Sequence, residues 1–217
     1  MAYRNFATAL YLTVHDMRRI TDLDEFAAVF SFLEHHVSLN KVYLETYRAG
    51  HFVEEGQVRK VKDFFTQKGI AVSGGITPNV KGEAIWDFKS CCFTDPEQLA
   101  ELRKVVVFTA GLFDEIILDD FYFNNCKCGR CIKARGEKSW SDFRTELAAQ
   151  VTKTVFLAPA RKTNPNVKMI IKYPNWYEHY QGTGYNLKDD SAAFDFIFSG
   201  TETRNPLYTQ QSLPRYI

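Results

Sequence analysis

Residues Asp114 to Cys131 read DEIILDDFYFNNCKCGRC. Ile116-Ile117-Leu118 is a short, continuous apolar run, the pattern of a parallel-sheet strand covered on both faces. Asp119 and Asp120 follow at the carboxyl end of that strand, the end at which α/β folds place their chemistry. Cys126, Cys128 and Cys131 come next, spaced C-x-C-x-x-C. The stretch therefore predicts a buried strand, two strand-end carboxylates and a metal-type cysteine cluster.

Working outward, the same unit recurs. Residues 7–14 predict a first strand ending at His15-Asp16, and Thr21-x-x-Asp24 reads as a capping box before a helix bearing Phe26, Phe30 and Leu33. Residues 41–47 predict a second strand, with Tyr43, Glu45 and Tyr47 on one face and Val42, Leu44 and Thr46 on the other. A helix over 54–68 stops at Gly69, and 70–79 predicts the third strand. After a loop carrying Trp86, Cys91 and Cys92, Asp95-Pro96 opens a third helix. Ser139-x-x-Asp142 caps the helix after the fourth strand, and 167–172 predicts the fifth. The aromatic loop YPNWYEHYQGTGY follows, and 194–199 predicts the sixth strand.

Strands alternating with helices imply βαβ crossovers and a parallel sheet. Polar clusters follow nearly every strand and no glycine-rich phosphate loop opens a helix, which suits a (β/α)8 TIM barrel better than a nucleotide-binding sheet. A full barrel needs eight units and about 250 residues. With about six units, residues 1–217 are expected to form a single, incomplete barrel domain, the N-terminal fragment of a longer chain or one that closes its barrel unconventionally.

The formal net charge of +1, with acids and bases interspersed, argues against a nucleic-acid or anionic-membrane partner. No apolar run approaches the ~20 residues that span a bilayer. The N-terminus has no signal-peptide core, so the expected location is cytoplasmic, or outside the cell after trimming. The oligomeric state is not legible.

The five cysteines fall in two groups, which favours a metal over a disulfide framework. Zinc takes four ligands in a tetrahedron, and short C-x-C and C-x-x-C steps let one loop wrap it. Cys126, Cys128 and Cys131 supply three ligands, and Cys91 or Cys92 the fourth from the neighbouring loop. Four thiolates leave no open position, so the site would be structural. The remaining cysteine would pack as a small hydrophobe.

Two carboxylates across a barrel mouth are what glycosidic cleavage requires. Asp119 and Asp120 stand on opposite faces of a regular strand, so one at most would point inward, and Glu202 past strand six is the natural second acid. Glu45 and Glu178 compete for the donor role. Lys172 and Arg204 would orient a carboxylate or meet an anionic substrate group, and His15 and Asp16 would touch substrate. Trp86, Trp176 and Tyr177 lie in loops where rings can stack on sugar faces. Lys172 is alternatively a Schiff-base lysine of an aldolase-like barrel. Each strand-end acid also has a plain structural use as a helix cap or loop acceptor.

The combination FDEIILDDFYF with CKCGRC resembles TIM-barrel glycoside hydrolases that carry D-D-[FY]-[FY] at the fourth strand end. A cysteine after strand three joined by C-x-C-x-x-C after strand four is similar to the structural zinc site of one bacterial β-galactosidase family. That resemblance implies Zn²⁺ on Cys126, Cys128, Cys131 and one of Cys91 or Cys92. Those enzymes carry Asn-Glu where this chain has Asp119-Asp120, so their acid/base does not carry over. A strand-four aspartate paired with a strand-six acid resembles instead the α-galactosidase-like arrangement, in which the aspartate is the nucleophile. The expected activity is hydrolysis of an oligo- or polysaccharide, with a non-catalytic carbohydrate-binding barrel as the alternative.

Overall fold

The computed structural model describes residues 3–80, 89–174 and 180–200. Six strands run parallel in chain order: strand one Ala9–Leu12, strand two Lys41–Arg48, strand three Ala71–Thr77, strand four Glu115–Leu118, strand five Lys168–Tyr173 and strand six Phe196–Ser199. Each pairs with the next. The sheet curls, so that inward side chains of strand two reach strand four: Lys41 pairs with Glu115 near the amino ends and Arg48 with Asp119 at the carboxyl ends. The architecture is an incomplete (β/α)8 barrel.

Helices cover the outer face, and the sequence capping signals explain most of their boundaries. Asp95 accepts from the N–H groups of Glu97 and Gln98 and opens Pro96–Ala110. Ser139 accepts from Asp142 N–H and opens Trp140–Val151. Glu55–Gln67 ends before Gly69, whose φ of +73° is the left-handed conformation a glycine stop supplies. Two starts differ from expectation. Asp22, not Thr21, caps Leu23–His36, because its Oδ1 accepts from both Asp24 and Glu25. Strand one stops at Leu12, since Thr13 and Asp16 form a reciprocal capping box that winds Val14–Arg19 into a helix. The helix from Trp140 continues through a π-helical turn, Thr152–Leu157, into Ala158–Thr163.

Strand two departs from simple alternation. Glu45 is opposite Gly75 while Tyr47 is opposite Ile76, leaving Thr46 as one extra residue. Such a bulge flips the facing of everything after it. The Thr46 hydroxyl meets Gly75 O and Thr109 in the helix layer, and Tyr47 packs in the outer core beside Phe52. Glu45 and Arg48 thus both face inward, and Tyr47 does not share the face of Tyr43 and Glu45.

The main core lies between sheet and helices, with Val42, Leu44, Phe65, Leu102, Ile116, Leu118, Phe156 and Met169 fully or almost fully buried. A smaller inner cluster of Tyr11, Tyr43, Ile117 and Ile170 fills the barrel interior. Strand six is the outer edge, where Phe196, Ile197 and Phe198 are 59%, 41% and 40% exposed.

Candidate active site and cysteine cluster

The carboxyl ends of strands one to five converge on one polar network. Glu45 has no exposed surface. It accepts from Tyr11 OH at 2.9 Å, from Val14 N–H at 2.6 Å and from Thr77 Oγ1. Arg48 Nε donates to both Glu45 oxygens, at 3.1 and 2.9 Å. The same guanidinium reaches Asp119 Oδ2 at 3.1 Å. Burial alone would pull the Arg48 pKa down, but the adjoining Glu45 carboxylate more than offsets it and the pKa lies above the ordinary range. Burial, then the Glu45 charge, drive the Tyr11 phenol well up, so it serves as a hydrogen-bond donor. Gly75 admits that ring, because a Cβ there would meet Tyr11 OH at 2.7 Å.

Asp119 completes the network from strand four. Its Oδ1 lies 3.1 Å from Lys172 Nζ, and the same ammonium lies 2.9 Å from Asp120 Oδ1. The strand ladder ends at Leu118, so the chain is free to turn and both aspartates reach one cation, contrary to the opposite-face expectation. Tyr185 OH donates to the Asp120 backbone carbonyl.

The other candidate residues distribute as follows. His15 is exposed on the short first helix, and its ring meets His51 edge-on at 5.5 Å. Asp16 is spent on the Thr13 cap. Glu45 sits beneath Arg48 with its oxygens committed within the protein. Trp86, Trp176, Tyr177, Glu178, Glu202 and Arg204 lie outside the described residues. The sequence reading missed Tyr11, Arg48 and Thr77. Their inward facing depends on the Thr46 bulge and on cross-strand register, for which a single segment carries no signal.

Cys92, Cys126, Cys128 and Cys131 bring their sulfurs within 4.8 Å of one another. Cys92 lies 3.5 Å from Cys131 and 3.9 Å from Cys128, and Cys128 lies 3.7 Å from Cys131. Ligands on a tetrahedron with metal–sulfur bonds of about 2.3 Å stand roughly 3.8 Å apart, so the four thiols fit a single ion. Cys91 is fully buried in the main core, where burial pushes its thiol up to about 12, and its sulfur is not among the four. The fourth position therefore falls to Cys92. Trp140 packs against the cluster, and Lys127, Arg135 and Arg144 lie 5.7, 4.9 and 4.7 Å from its ring centre. Burial lowers the Arg144 pKa, and Cys131 and Cys126 oppose that shift, as negative charge in the cluster would. Among the described residues no helix is long and apolar enough to cross a membrane.

Comparison with known proteins bears on this geometry. An uncharacterized protein of Saccharolobus solfataricus is 27% identical over 99% of the chain, which spans 40% of that protein's length. The β-galactosidase of the psychrophilic Marinomonas ef1 superposes with a TM-score of 0.67 at 10% identity, over 95% of this chain and 43% of that one. Fungal β-1,4-galactanases superpose with a TM-score of 0.50 at 10% identity, over 97% of this chain and 69% of theirs. The two structural likenesses show the barrel fold. A family model described as the catalytic domain of probable glycosyl hydrolases matches residues 1–217, and with it the chain belongs to that glycosyl hydrolase family.

Proposed function

We propose that this barrel hydrolyses glycosidic bonds of an oligo- or polysaccharide, with Asp119 or Asp120 as nucleophile or charge-stabilising carboxylate and Glu202 as proton donor. The observation that carries this reading is the Asp119 carboxylate at the inner end of strand four, held between Arg48 and Lys172. Both Asp119 oxygens face cations at hydrogen-bond distance, an arrangement that suits charge stabilisation or attack at an anomeric carbon better than proton donation. A separate acid is then needed, and Glu202 follows strand six in sequence. The same geometry disfavours the lyase alternative, since a Schiff base needs a neutral amine and Lys172 is ion-paired to two carboxylates.

Cys92, Cys126, Cys128 and Cys131 would hold one structural Zn²⁺. The exposed rings of strand six support the further reading that later chain closes the barrel between strand six and strand one.

The test is hydrolysis of a panel of aryl glycosides and oligosaccharides by the wild type and by Asp119→Asn, Asp120→Asn and Glu202→Gln. Loss of a group that acts in the transition state lowers kcat by about 100-fold or more. If all three variants hydrolyse a responsive substrate at the wild-type rate, the assignment is wrong. Oligosaccharide binding with no turnover of any substrate would instead identify a binding barrel.

A further inference from the structure

Arg144 bridges the cysteine loop and the segment that follows strand five. It projects from the helix Trp140–Val151 and is 6% exposed. Its guanidinium donates to the carbonyls of Asn125 at 3.0 Å and Cys126 at 3.3 Å, both on the cysteine loop. It also donates to Gly182 O at 2.6 Å, on the segment after strand five. Asn124 N–H, from the cysteine loop, donates to Thr183 O at 2.7 Å. Gly184 has φ +91°, and a Cβ there would stand 3.1 Å from Arg144 O, so this segment passes flush against the arginine. One residue later, Tyr185 OH holds the Asp120 carbonyl.

We infer that Arg144 is a positioning residue that passes the metal-set shape of the cysteine loop to Gly182–Tyr185, and through Tyr185 to the Asp120 end of strand four. The inference rests on the metal reading of the four cysteines. The loop from Asn124 to Cys128 belongs to no helix or strand, so its form is set by the bonds it makes. A coordinated ion would fix two of its residues, Cys126 and Cys128, to Cys131 of the following helix and to Cys92, and coupling of ligation to local order follows. Without the ion the Asn125 and Cys126 carbonyls are free to drift, Arg144 loses two acceptors, and the Gly182 segment loses the side chain it lies on.

The test is amide hydrogen exchange on zinc-loaded and chelator-treated protein, with zinc measured in the same samples. Asn124 is the reporter, because its N–H closes on Thr183. Zinc removal is expected to speed exchange at Asn124 and at residues 182–186 by about tenfold or more, the scale of a local opening. Val42 and Leu44 in strand two are expected to be unchanged, which separates a local effect from global unfolding. Arg144→Lys, assayed with zinc bound, is expected to reproduce the fast exchange at Asn124 while zinc content stays at the wild-type value. Equal exchange with and without zinc, or full protection in Arg144→Lys, overturns the coupling and leaves the metal reading standing. Failure of the protein to bind zinc at all overturns both, and the metal measurement identifies that case.

Discussion

Lys172 Nζ stands 3.1 Å from Asp119 and 2.9 Å from Asp120, so one ammonium is shared by two carboxylates that are adjacent in the chain. Removing it leaves two negative charges facing each other in a largely buried site, with Arg48 as compensation for Asp119 alone. Losing one partner of a buried pair costs roughly 3–5 kcal/mol. Lys172→Met is therefore expected to lower Tm by about 10 °C, at the ~2–4 °C per kcal/mol typical of this chain length. Lys172→Arg should recover most of the loss. Calorimetry of the two variants decides it; an unchanged Tm in Lys172→Met would mean the pair is solvated.

Gly75 faces the barrel interior beneath the Tyr11 ring. Gly75→Ala places a methyl 2.7 Å from Tyr11 OH, inside van der Waals contact, and displaces the phenol from Glu45. Overpacking of this kind costs roughly 1–3 kcal/mol. The double variant Gly75→Ala with Tyr11→Phe should be less destabilised than the two single effects added, because the clashing hydroxyl is gone. Thermal denaturation of all four proteins gives the coupling.

Cys91 and Cys92 are neighbours with different surroundings. Cys91 lies in the apolar core, whereas Cys92 lies with the other three sulfurs. Cys92→Ala is expected to abolish stoichiometric zinc binding, while Cys91→Ala keeps it and loses only packing stability. Metal analysis of the purified variants is the measurement, and the reverse pattern would reassign the site.

Asp190 is 1% exposed, accepts from Thr152 Oγ1 at 2.8 Å at the start of the π-helical turn, and has its pKa pushed up to about 6, chiefly by burial. The folded state then holds this proton more tightly than the unfolded chain does. Below about pH 4 the group has no cost in either state; between about pH 4 and 6 its ionisation removes stability, and above that the loss is complete. Asp190→Asn should therefore gain stability relative to wild type as pH rises through that window, with no gain at pH 4. Chemical denaturation at several pH values tests the slope.

The parts of the fold that rest on local chemistry were legible in the sequence. Asp95 and Ser139 cap their helices where the residue types predict, and the apolar runs at Ile116–Leu118 and Met169–Ile171 are central strands. The parts that rest on pairing between distant segments were not. Nothing near Thr46 announces a bulge; its register is set by strand three and its hydroxyl by Gly75 and Thr109. Thr13 and Asp16 carry a readable capping box, but the apolar run before them reads equally well as a longer strand. At the site, the position of Asp119 and Asp120 was legible from where the apolar run ends. Lys172 was legible as a cation that would orient a carboxylate, but not as one shared by both aspartates, because that depends on where the ladder with strand five stops. The cysteine spacing marked a cluster, yet only the path of the loop separates Cys91 from Cys92.

The bulge at Thr46 makes the barrel mouth depend on strand register more than on residue type. Substituting Thr46 costs a hydroxyl and its contacts with Gly75 and Thr109. Deleting it seats Tyr47 opposite Ile76 directly after Glu45 opposite Gly75, so strict alternation returns with Tyr47 still outward and Arg48 still inward. Regular pairing with Thr46 retained is the disruptive case: Tyr47 would swing into the barrel, and the Arg48 guanidinium would be driven among the outer helices, away from both Glu45 and Asp119. A one-residue slip of register in this strand would dismantle the charge network while leaving every charged residue of that network in the chain.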